Sequence, residues 1–337
     1  MIRDAIATLL ESNDLDRLAA SEAMATIMDG EATPAQIGAF LVALRLKGET
    51  VDEIAGCASA MRERVVPVRA VGPLLDTCGT GGDGSGTFNI STTVAFVAAG
   101  AGVRVAKHGN RSISSACGSA DVLEALGARL DLGADRIARC IDEVGIGFLF
   151  APGHHPAMKH AMGPRRELGI RTIFNVLGPL TNPAGADSQL LGVFAADLVT
   201  PIAHVLSELG SRSAVVVNGA GGLDEVSPAG ETRAAVLRDG CVEEFVWTPG
   251  DFGVPGADLA ALAGGDAEEN ARILRGVLEG ETGPRRDVTL MNGACALLAA
   301  GTVSDLGAGM ERATESVDSG TALAVLDQFV EFTRSEP

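Results

Sequence analysis

Short apolar runs alternate with helical patterns through the middle of this 337-residue chain, and this alternation strongly constrains the fold. The runs are PLLDT, VRVA, IGFLF, QLLGVF and AVVVN, each bounded by Gly, Pro or charge, which is typical of buried strands. Between or beside them lie the helical patterns ISTTVAFVAAGA, SADVLEALG, DRIARCIDEVG and TPIAHVLSELG. In the last pattern we predict Thr200 as the N-cap, Pro201 as the first helical residue and Gly210 as the stop. The alternation predicts an α/β fold with a mainly parallel central sheet covered by helices.

The strand–helix alternation is absent from both ends of the chain. Residues 1–66 contain no strand pattern and predict consecutive helices, one starting at Thr33-Pro34 and ending at Gly48. A capping box over Thr50–Glu53 predicts the start of the next helix. After the fifth strand, Asp239-Gly240 predicts the turn of a hairpin, and the final seventy residues predict helices.

The segment at about 155–185 interrupts the alternation, because it is basic, rich in Pro and Gly, and favours helix over strand. We expect it to return to the N-terminal helices. The prediction is therefore a small helical domain, residues 1–70 completed by about 155–185. Residues 71–154 and 186–337 then form a larger α/β domain. Ligands of open α/β sheets bind beyond the carboxyl ends of the strands, where the helical domain could close a cleft.

Composition narrows the class of protein. The formal net charge is -18 with a pI near 4.6, and 11 Phe, one Trp and no Tyr leave little material for stacking bases. We therefore expect no nucleic-acid partner. Six scattered cysteines without a C-x-x-C pair predict reduced thiols. The sequence shows neither a signal peptide nor an 18-residue apolar span, so we expect a soluble cytoplasmic protein that does not contact a membrane.

A glycine-rich stretch, DTCGTGGDGSGTFNIST, follows the first predicted strand. No Asp or Glu lies between Asp83 and Asp121, whereas Arg104, Lys107 and Arg111 are cationic. In so acidic a chain, this pattern predicts that the region receives an anion. A solvated basic edge is the alternative for Lys107 and Arg111.

The glycine pattern from Gly79 to Gly84 is compatible with several anions. It matches G-x-G-x-x-G, yet a dinucleotide site needs an acidic residue about 20 positions later, and none is present. It also begins a P-loop pattern, but Ser85 stands in place of the phosphate-binding lysine. A turn without a ligand remains open, although so many glycines are entropically costly. The remaining interpretation is a backbone nest for a diphosphate, with the following helix N-terminus, residues 89–92, adding hydroxyls and amides.

Several motifs together resemble the anthranilate phosphoribosyltransferase family. They are GTGGDGSGTFNIST, KHGNRS, CGSADVLEALG, HHPAMKH, RRELGIRTIFNVLGPLTNPAG and GLDEVSP, in this order, and the likeness extends to the N-terminal AQIGAFLVALRLKGET. The resemblance implies a nucleoside phosphorylase/phosphoribosyltransferase-like fold, usually a homodimer with Mg²⁺. It also implies transfer of a phosphoribosyl group from phosphoribosyl pyrophosphate to anthranilate, with release of pyrophosphate, in tryptophan biosynthesis.

By the same resemblance, the site residues fall into three groups. Phosphoribosyl pyrophosphate would be surrounded by the glycine loop, the helix start and residues 107–115: Gly79, Gly82, Asp83, Thr87, Asn89, Ser91, Thr92, Lys107, Arg111, Ser115 and Ser119. Anthranilate would be held by Gly79, Asn110 and Arg165, and magnesium by Ser91, Asp224 and Glu225. Lys107 and His108 are predicted to position substrate, and no residue is assigned as a general base.

The residues themselves support parts of this assignment and leave alternatives. Asp224-Glu225 follows a strand and a glycine-rich loop and suits Mg²⁺, although a surface acid pair would look the same. The Arg165 guanidinium suits a carboxylate substrate, with an interdomain ion pair as the alternative. Ala116 stands where family members often carry a basic residue, and Pro164 could alter how Arg165 is presented.

Two other functions are compatible with such a chain. A pyrimidine nucleoside phosphorylase of the same fold would use phosphate and a nucleoside, and Asp224-Glu225 and the RRELG segment count against it. A non-catalytic nucleic-acid-binding relative is the other, and the acidic pI and intact loop motifs count against it.

Overall fold

The computed structural model describes residues 1–112 and 116–335. Its N-terminal unit consists of α1 (Ile2–Leu10), α2 (Arg17–Met28), α3 (Pro34–Lys47) and α4 (Val51–Arg62). The predicted caps are present: Thr33 accepts from the Gln36 amide at 3.3 Å, and the Thr50 amide donates to Glu53 Oε2 at 2.8 Å. Side-chain capping thus starts α3 and α4 at the residues that the sequence indicates.

A single seven-stranded sheet forms the centre of the rest of the chain. Its strands are β1 (Leu75–Gly79), β2 (Val105–Gly109), β3 (Ile146–Phe150), β4 (Ser188–Gly192), β5 (Ser213–Gly219), β6 (Thr232–Arg238) and β7 (Cys241–Trp247). The spatial order is β3-β2-β1-β4-β5-β6-β7, with β1 to β5 parallel and the last two pairings antiparallel. Asp239 and Gly240 form the predicted hairpin turn, both with positive φ, 51° and 78°.

Helices cover both faces of this sheet. They are α5 (Ile90–Gly100), α6 (Ser119–Ala125), α7 (Ala134–Val144), α8 (Ala151–His154), α9 (Lys159–Leu168), α10 (Phe174–Leu177), α11 (Val199–Glu208), α12 (Ala267–Leu278), α13 (Pro284–Ala299), α14 (Leu306–Asp318) and α15 (Thr321–Arg334).

The predicted cap of α11 is wrong. The helix begins at Val199 with Leu198 as its N-cap, so Thr200 and Pro201 both lie inside the first turn. The Thr200 hydroxyl instead donates to Glu244 Oε1 at 2.7 Å, on the edge strand β7. A tertiary partner has replaced the local capping role that the sequence indicated for this threonine.

Alternate residues of the central strands divide the core into two layers. Leu190, Val215 and Val217 face the layer made with α5 and the C-terminal helices. Leu191 and Val216 face the opposite layer, which contains α11 and the buried side chains of the N-terminal unit. The helical unit therefore packs on the same hydrophobic layer as one face of the sheet.

The 155–185 segment packs against the N-terminal helices. Ala161 of α9 and the buried residues 173, 174, 176 and 177 belong to the same layer as Phe40 and Met24. This packing agrees with the predicted return of the chain to the helical unit, while the domain boundaries themselves stay a prediction. Within the described residues, no helix is both long and apolar enough to cross a membrane.

Candidate active site

The sheet topology places one crevice beside β1. From β1 the chain first adds β2 and β3 on one side, and later adds β4 and β5 on the other. In open parallel sheets such a reversal leaves a crevice at the carboxyl ends of the two strands where it occurs, here β1 and β4. The glycine-rich loop leaves β1 at this point.

The loop is held by hydrogen bonds at its start and its end. The Thr80 amide donates to Gly192 O at 2.9 Å, where β4 ends. At the far end, the Gly264 amide donates to Gly86 O at 2.9 Å and Phe88 to Leu262 O at 3.0 Å. Between these anchors, the four glycines at 81, 82, 84 and 86 all have φ between 64° and 73°, which side chains disfavour. No pattern in the sequence indicated the support from residues 262–264.

Asp224 packs directly against the loop. Its Oδ2 accepts from the Gly81 amide at 2.7 Å. A Cβ on Gly79 would lie 2.3 Å from Asp224 Oδ2, and one on Gly192 would lie 1.5 Å from Asp224 O. Glycine at these two strand ends is therefore a steric requirement of the Asp224 position.

Three carboxylates of like charge, Asp83, Asp224 and Glu225, meet at this point. Burial, and then the neighbouring Asp83, raises the pKa of Asp224 to about 7. Burial, and then Asp224, raises the pKa of Glu225 well above its usual range, and only 7% of Glu225 is exposed. Within the part of the chain that the structure describes, Asp83 Oδ2 is buried without a hydrogen-bond partner. A cation placed among these oxygens would relieve their repulsion.

These residues fit Mg²⁺ better than a transition metal. Among residues 1–112 and 116–335, no group of three or more His, Cys, Asp or Glu side chains has the geometry of a complete metal site. Magnesium requires less, because it binds through one or two carboxylates and fills its remaining positions with water and substrate phosphate oxygens.

The N-terminus of α5 faces the same crevice. Asn89 is its N-cap by position, but its side chain does not cap the helix; its Nδ2 donates to Cys117 O at 3.3 Å. The Asn89 Oδ1 is buried and has no hydrogen-bond partner among the described residues. Ser91 O accepts from the Thr77 hydroxyl at 2.9 Å, and Thr92 is buried. The positive end of the helix dipole and the Asn89 amide oxygen give this end of α5 the capacity to bind a polar ligand.

Lys107 lies beneath the site instead of at its edge. Only 2% of it is exposed, and Nζ donates to Thr77 O at 2.5 Å and to Ser91 Oγ at 3.4 Å. Burial lowers its pKa, while Asp76 and Glu225 act in the opposite direction. The solvated-edge alternative is thus wrong for Lys107.

Asp76 and Asn182 complete this buried network, and sequence reasoning missed both. Asp76 accepts from Asn182 Nδ2 at 2.7 Å and from the His108 amide at 3.2 Å. Burial raises the pKa of Asp76 to about 6 against the opposing effect of Lys107. The position of Asp76 three residues before Gly79 was the available signal.

The cations of the acid-free stretch have carboxylate partners in space. Arg111 Nη2 donates to Glu124 Oε1 at 2.7 Å and also pairs with Asp121, while Arg104 pairs with Asp142. The stretch is therefore free of acids in sequence but not in space, because helices that follow in sequence fold back beside these cations. Binding of substrate by Arg111 stays a prediction, as it would require exchange of these partners.

The two ends of the connection from β2 to α6 contact each other. Asn110 O accepts from the Ser119 hydroxyl at 3.2 Å, and Asn110 Oδ1 accepts from the Arg111 amide at 2.8 Å. Ala116 is exposed. Ser115, predicted to bind phosphoribosyl pyrophosphate, lies outside the described residues. Thr87 is half-buried, with its hydroxyl 3.4 Å from that of Ser85.

His108 and His155 form a close pair, with their Nε2 atoms 3.1 Å apart. Burial, and then the partner ring, lowers the pKa of His108 to about 3, and burial lowers that of His155 to about 4. Both rings are neutral at pH 7, so neither serves as a general acid there. His154 is buried and its Nδ1 contacts Val66 O at 2.9 Å, a structural role.

Arg165 is half-buried on α9 and forms no ion pair within the described part of the chain. Its guanidinium lies over the Phe174 ring, 4.9 Å from the centroid, and burial lowers its pKa. Pro164, just before it, is buried inside the helix. The interdomain ion pair is thus wrong as an interpretation, and the guanidinium has unused donors for a carboxylate.

Comparisons with known proteins agree with this geometry. Residues 3–65 match the helical bundle domain of a glycosyl transferase family, and residues 71–323 match its a/b domain. Anthranilate phosphoribosyltransferase of Moorella thermoacetica is 57% identical over 336 residues, covering 99% of both chains. The crystal structure of the Thermus thermophilus enzyme has a TM-score of 0.94 at 45% identity and covers 98% of this chain and 100% of its own.

The chain belongs to the anthranilate phosphoribosyltransferase family. A Saccharomyces cerevisiae anthranilate phosphoribosyltransferase in complex with PRPP and Mg also matches, with a TM-score of 0.90 at 31% identity, covering 99% of this chain and 98% of that one. The predicted fold and the predicted enzyme class are confirmed. None of these relatives is a nucleoside phosphorylase or a nucleic-acid-binding protein, so the comparisons favour the main prediction over both alternatives.

Proposed function

We propose that this chain transfers the phosphoribosyl group of phosphoribosyl pyrophosphate to the anthranilate amine through the crevice beside β1. The observation that carries the proposal is the glycine loop held against Asp224. Beside it lie two buried oxygens that have no hydrogen-bond partner in residues 1–112 and 116–335, Asp83 Oδ2 and Asn89 Oδ1. A diphosphate with its cation and the ribose hydroxyls would supply the missing partners.

Positioning is the main task of the protein in this reaction. The anthranilate nitrogen is a weak nucleophile because its lone pair is delocalised into the ring, and the displacement at the ribose C1 develops positive charge on the sugar. Holding the two reactants in line can supply several kcal/mol. The glycine loop and the start of α5 would present amides to the diphosphate, with Gly79, Gly82, Asn89, Ser91 and Thr92 contributing. Thr87 and Ser119 would lie at the edges of the same cradle.

Leaving-group stabilisation would come from cations on two sides. When bound, Mg²⁺ held by Ser91, Asp224 and Glu225 would neutralise the charge that grows on pyrophosphate. Lys107, buried next to Ser91, would contribute a fixed positive charge below the loop. We include Arg111 and Ser115 in the outer part of the phosphate site.

Arg165 would bind the anthranilate carboxylate with two parallel hydrogen bonds, assisted by Asn110 and by the backbone at Gly79. His108 would shape the pocket as a neutral ring. No general base is assigned, because the aniline nitrogen becomes acidic as it attacks and can lose its proton to water.

We further propose that the protein acts in the cytoplasm and as a homodimer. Support for the homodimer comes from Leu10, Leu18 and Leu46 of the helical unit, which are 71%, 68% and 81% exposed. Exposed apolar side chains mark an interface between chains when they form a contiguous patch. Sedimentation of the parent protein and of Leu46→Glu would test this, and a monomeric parent would contradict it.

A fluorescence assay tests the function. With Mg²⁺, the purified protein is expected to consume anthranilate only when phosphoribosyl pyrophosphate is present. Thymidine with inorganic phosphate is the control pair for the phosphorylase alternative. Turnover of thymidine without turnover of anthranilate would overturn the proposal.

A further inference from the structure

The segment that carries Arg165 continues as a compact unit. Its helix α9 ends at Leu168, and Gly169 in the left-handed region turns the chain. The Thr172 amide donates to Asn175 Oδ1 at 3.0 Å, and Phe174 packs back under Arg165. Residues 165–175 thus hold a fixed shape on the helical unit.

Arg171 extends from this unit across to the glycine loop. Its Nη2 donates to Gly82 O, and its guanidinium lies over the Phe194 ring, 4.5 Å from the centroid. Arg171 is exposed and forms no ion pair with any described residue. Within the described part of the chain, its partners are therefore the loop and the ring.

Phe194 is itself tied to the loop. Phe194 lies two residues beyond the end of β4, and its amide donates to Thr80 Oγ1 at 3.0 Å. Thr80 and Gly82 are thus fixed from the same side, one by the backbone after β4 and the other by Arg171. Because both Gly81 and Gly82 have positive φ, the loop at this point has no side chains of its own to hold its conformation.

We propose that Arg171 is a positioning residue that fixes the glycine loop to the segment presenting Arg165. By holding the Gly82 carbonyl, Arg171 sets the direction of the neighbouring loop amides. Because Arg171 and Arg165 belong to the same segment, this contact also fixes the distance between the diphosphate site and the anthranilate site. This inference rests on the proposed function for the identity of the two substrates. Its structural part, the fixation of the loop, does not depend on it.

Arginine suits this role for a geometric reason. A guanidinium can stack on a ring with its flat face while its edge donates to a carbonyl, whereas an ammonium cannot do both. Arg171→Lys should therefore retain the charge but fix the loop only in part. If Arg171 instead attracted the diphosphate by its charge alone, Arg171→Lys would have the same KM as the parent.

Steady-state kinetics of four variants and one control variant separate these roles. Arg171→Ala is expected to raise the KM for phosphoribosyl pyrophosphate about tenfold, the effect of losing one charge-assisted hydrogen bond. Arg171→Lys and Phe194→Leu should each give a partial increase. The double variant Arg171→Ala/Phe194→Leu should be no worse than Arg171→Ala, because both remove one shared interaction. Lys159→Ala, an exposed cation at the start of α9, is the control and should match the parent.

Hydrogen exchange of the amides at 80–86 provides a second readout that does not require turnover. These amides should exchange faster in Arg171→Ala than in the parent or Lys159→Ala. Parent-like exchange together with a KM within twofold of the parent would overturn the proposal. The proposal would also be overturned if Arg171→Lys and Phe194→Leu both had the parent's KM for phosphoribosyl pyrophosphate. If the parent lacks activity with anthranilate, the proposed function fails, and exchange alone decides whether Arg171 fixes the loop.

Discussion

The two cations Lys107 and Arg165 have different surroundings in this site. Lys107 is buried beside acids, whereas Arg165 is half-buried without an acidic neighbour among the described residues. Lys107 lies next to Asp76 and Glu225, and its charge holds a buried network together. Arg165 has only an aromatic ring beneath it and donors that remain free within the described residues. An arginine with free guanidinium donors can bind the anionic group of a ligand.

Arg165→Ala is expected to raise the anthranilate KM about 10- to 100-fold, because a charge-assisted pair contributes about 1.5–3 kcal/mol. The KM for phosphoribosyl pyrophosphate should change little. Steady-state kinetics with each substrate varied in turn would measure both constants. An anthranilate KM equal to that of the parent would refute the carboxylate role.

The His108–His155 pair predicts a loss of stability in mild acid. The folded pKa of His108, about 3, lies below the usual value of about 6.5. Below pH 6.5 the unfolded chain therefore binds a proton at this residue that the folded chain does not, and the contribution of His108 to the free energy of unfolding falls as the pH falls. The slope is at most about 1.4 kcal/mol per pH unit for one histidine.

Urea denaturation at pH 7, 6 and 5 would measure this slope. His108→Asn should reduce the dependence on pH between 6.5 and 4, whereas His204→Asn, an exposed histidine, should leave it unchanged. Equal slopes for parent and His108→Asn would show that this ring does not contribute.

At the scale of elements, the site depends on how two loops meet at the ends of β1, β4 and β5. The loop after β5 brings Asp224 against Gly79 and Gly192, so any side chain there would displace the carboxylate. The segment 262–264 supports the glycine loop at its far end. Conformation and charge of the loop are thus set by elements distant in sequence.

Replacing the acid pair tests this arrangement. The double variant Asp224→Ala/Glu225→Ala is expected to lose about 10²-fold or more in activity, because charge neutralisation at the leaving group is lost. Its magnesium titration should shift to higher concentration. Asp197→Asn, an exposed acid near the start of α11, is the control. A titration curve that overlays that of the parent would contradict the metal assignment.

At the scale of the whole molecule, the helical unit is joined to the sheet by buried polar contacts as well as by the shared hydrophobic layer. Arg62, the last residue of α4, donates to Leu180 O at 2.7 Å and to Leu209 O at 3.1 Å. Burial lowers the pKa of Arg62, and no acid shares in the shift. One side chain thus satisfies carbonyls from two separate segments.

Arg62→Met should lower the free energy of unfolding by about 1.5–3 kcal/mol, because two carbonyls lose a charged donor while the apolar volume is retained. Urea denaturation would measure this loss. Arg69→Met, at an exposed position, should have little effect. A parent-like Arg62→Met would indicate that the hydrophobic layer alone holds the two units together.

Local signals determined much of the architecture. The strand runs, the caps at Thr33 and Thr50 and the Asp239-Gly240 turn depend on neighbours within a few residues, and the structure places them as predicted. Thr200 is the counter-example, since a contact with Glu244 on another element overrides its capping pattern. Family motifs likewise indicated the enzyme class, because they are continuous in sequence.

The charges of the site could not be predicted in this way. The acid-free stretch suggested unpaired cations, yet Arg111 meets Glu124 and Lys107 meets Asp76 once the helices and strands are packed. Electrostatic neighbours are set by distance in space, and charges many residues apart interact as strongly as adjacent ones when the fold brings them together. The sequence by itself determined the elements and the family. Only the tertiary structure decided which buried groups face one another, because burial and proximity arise when the elements pack.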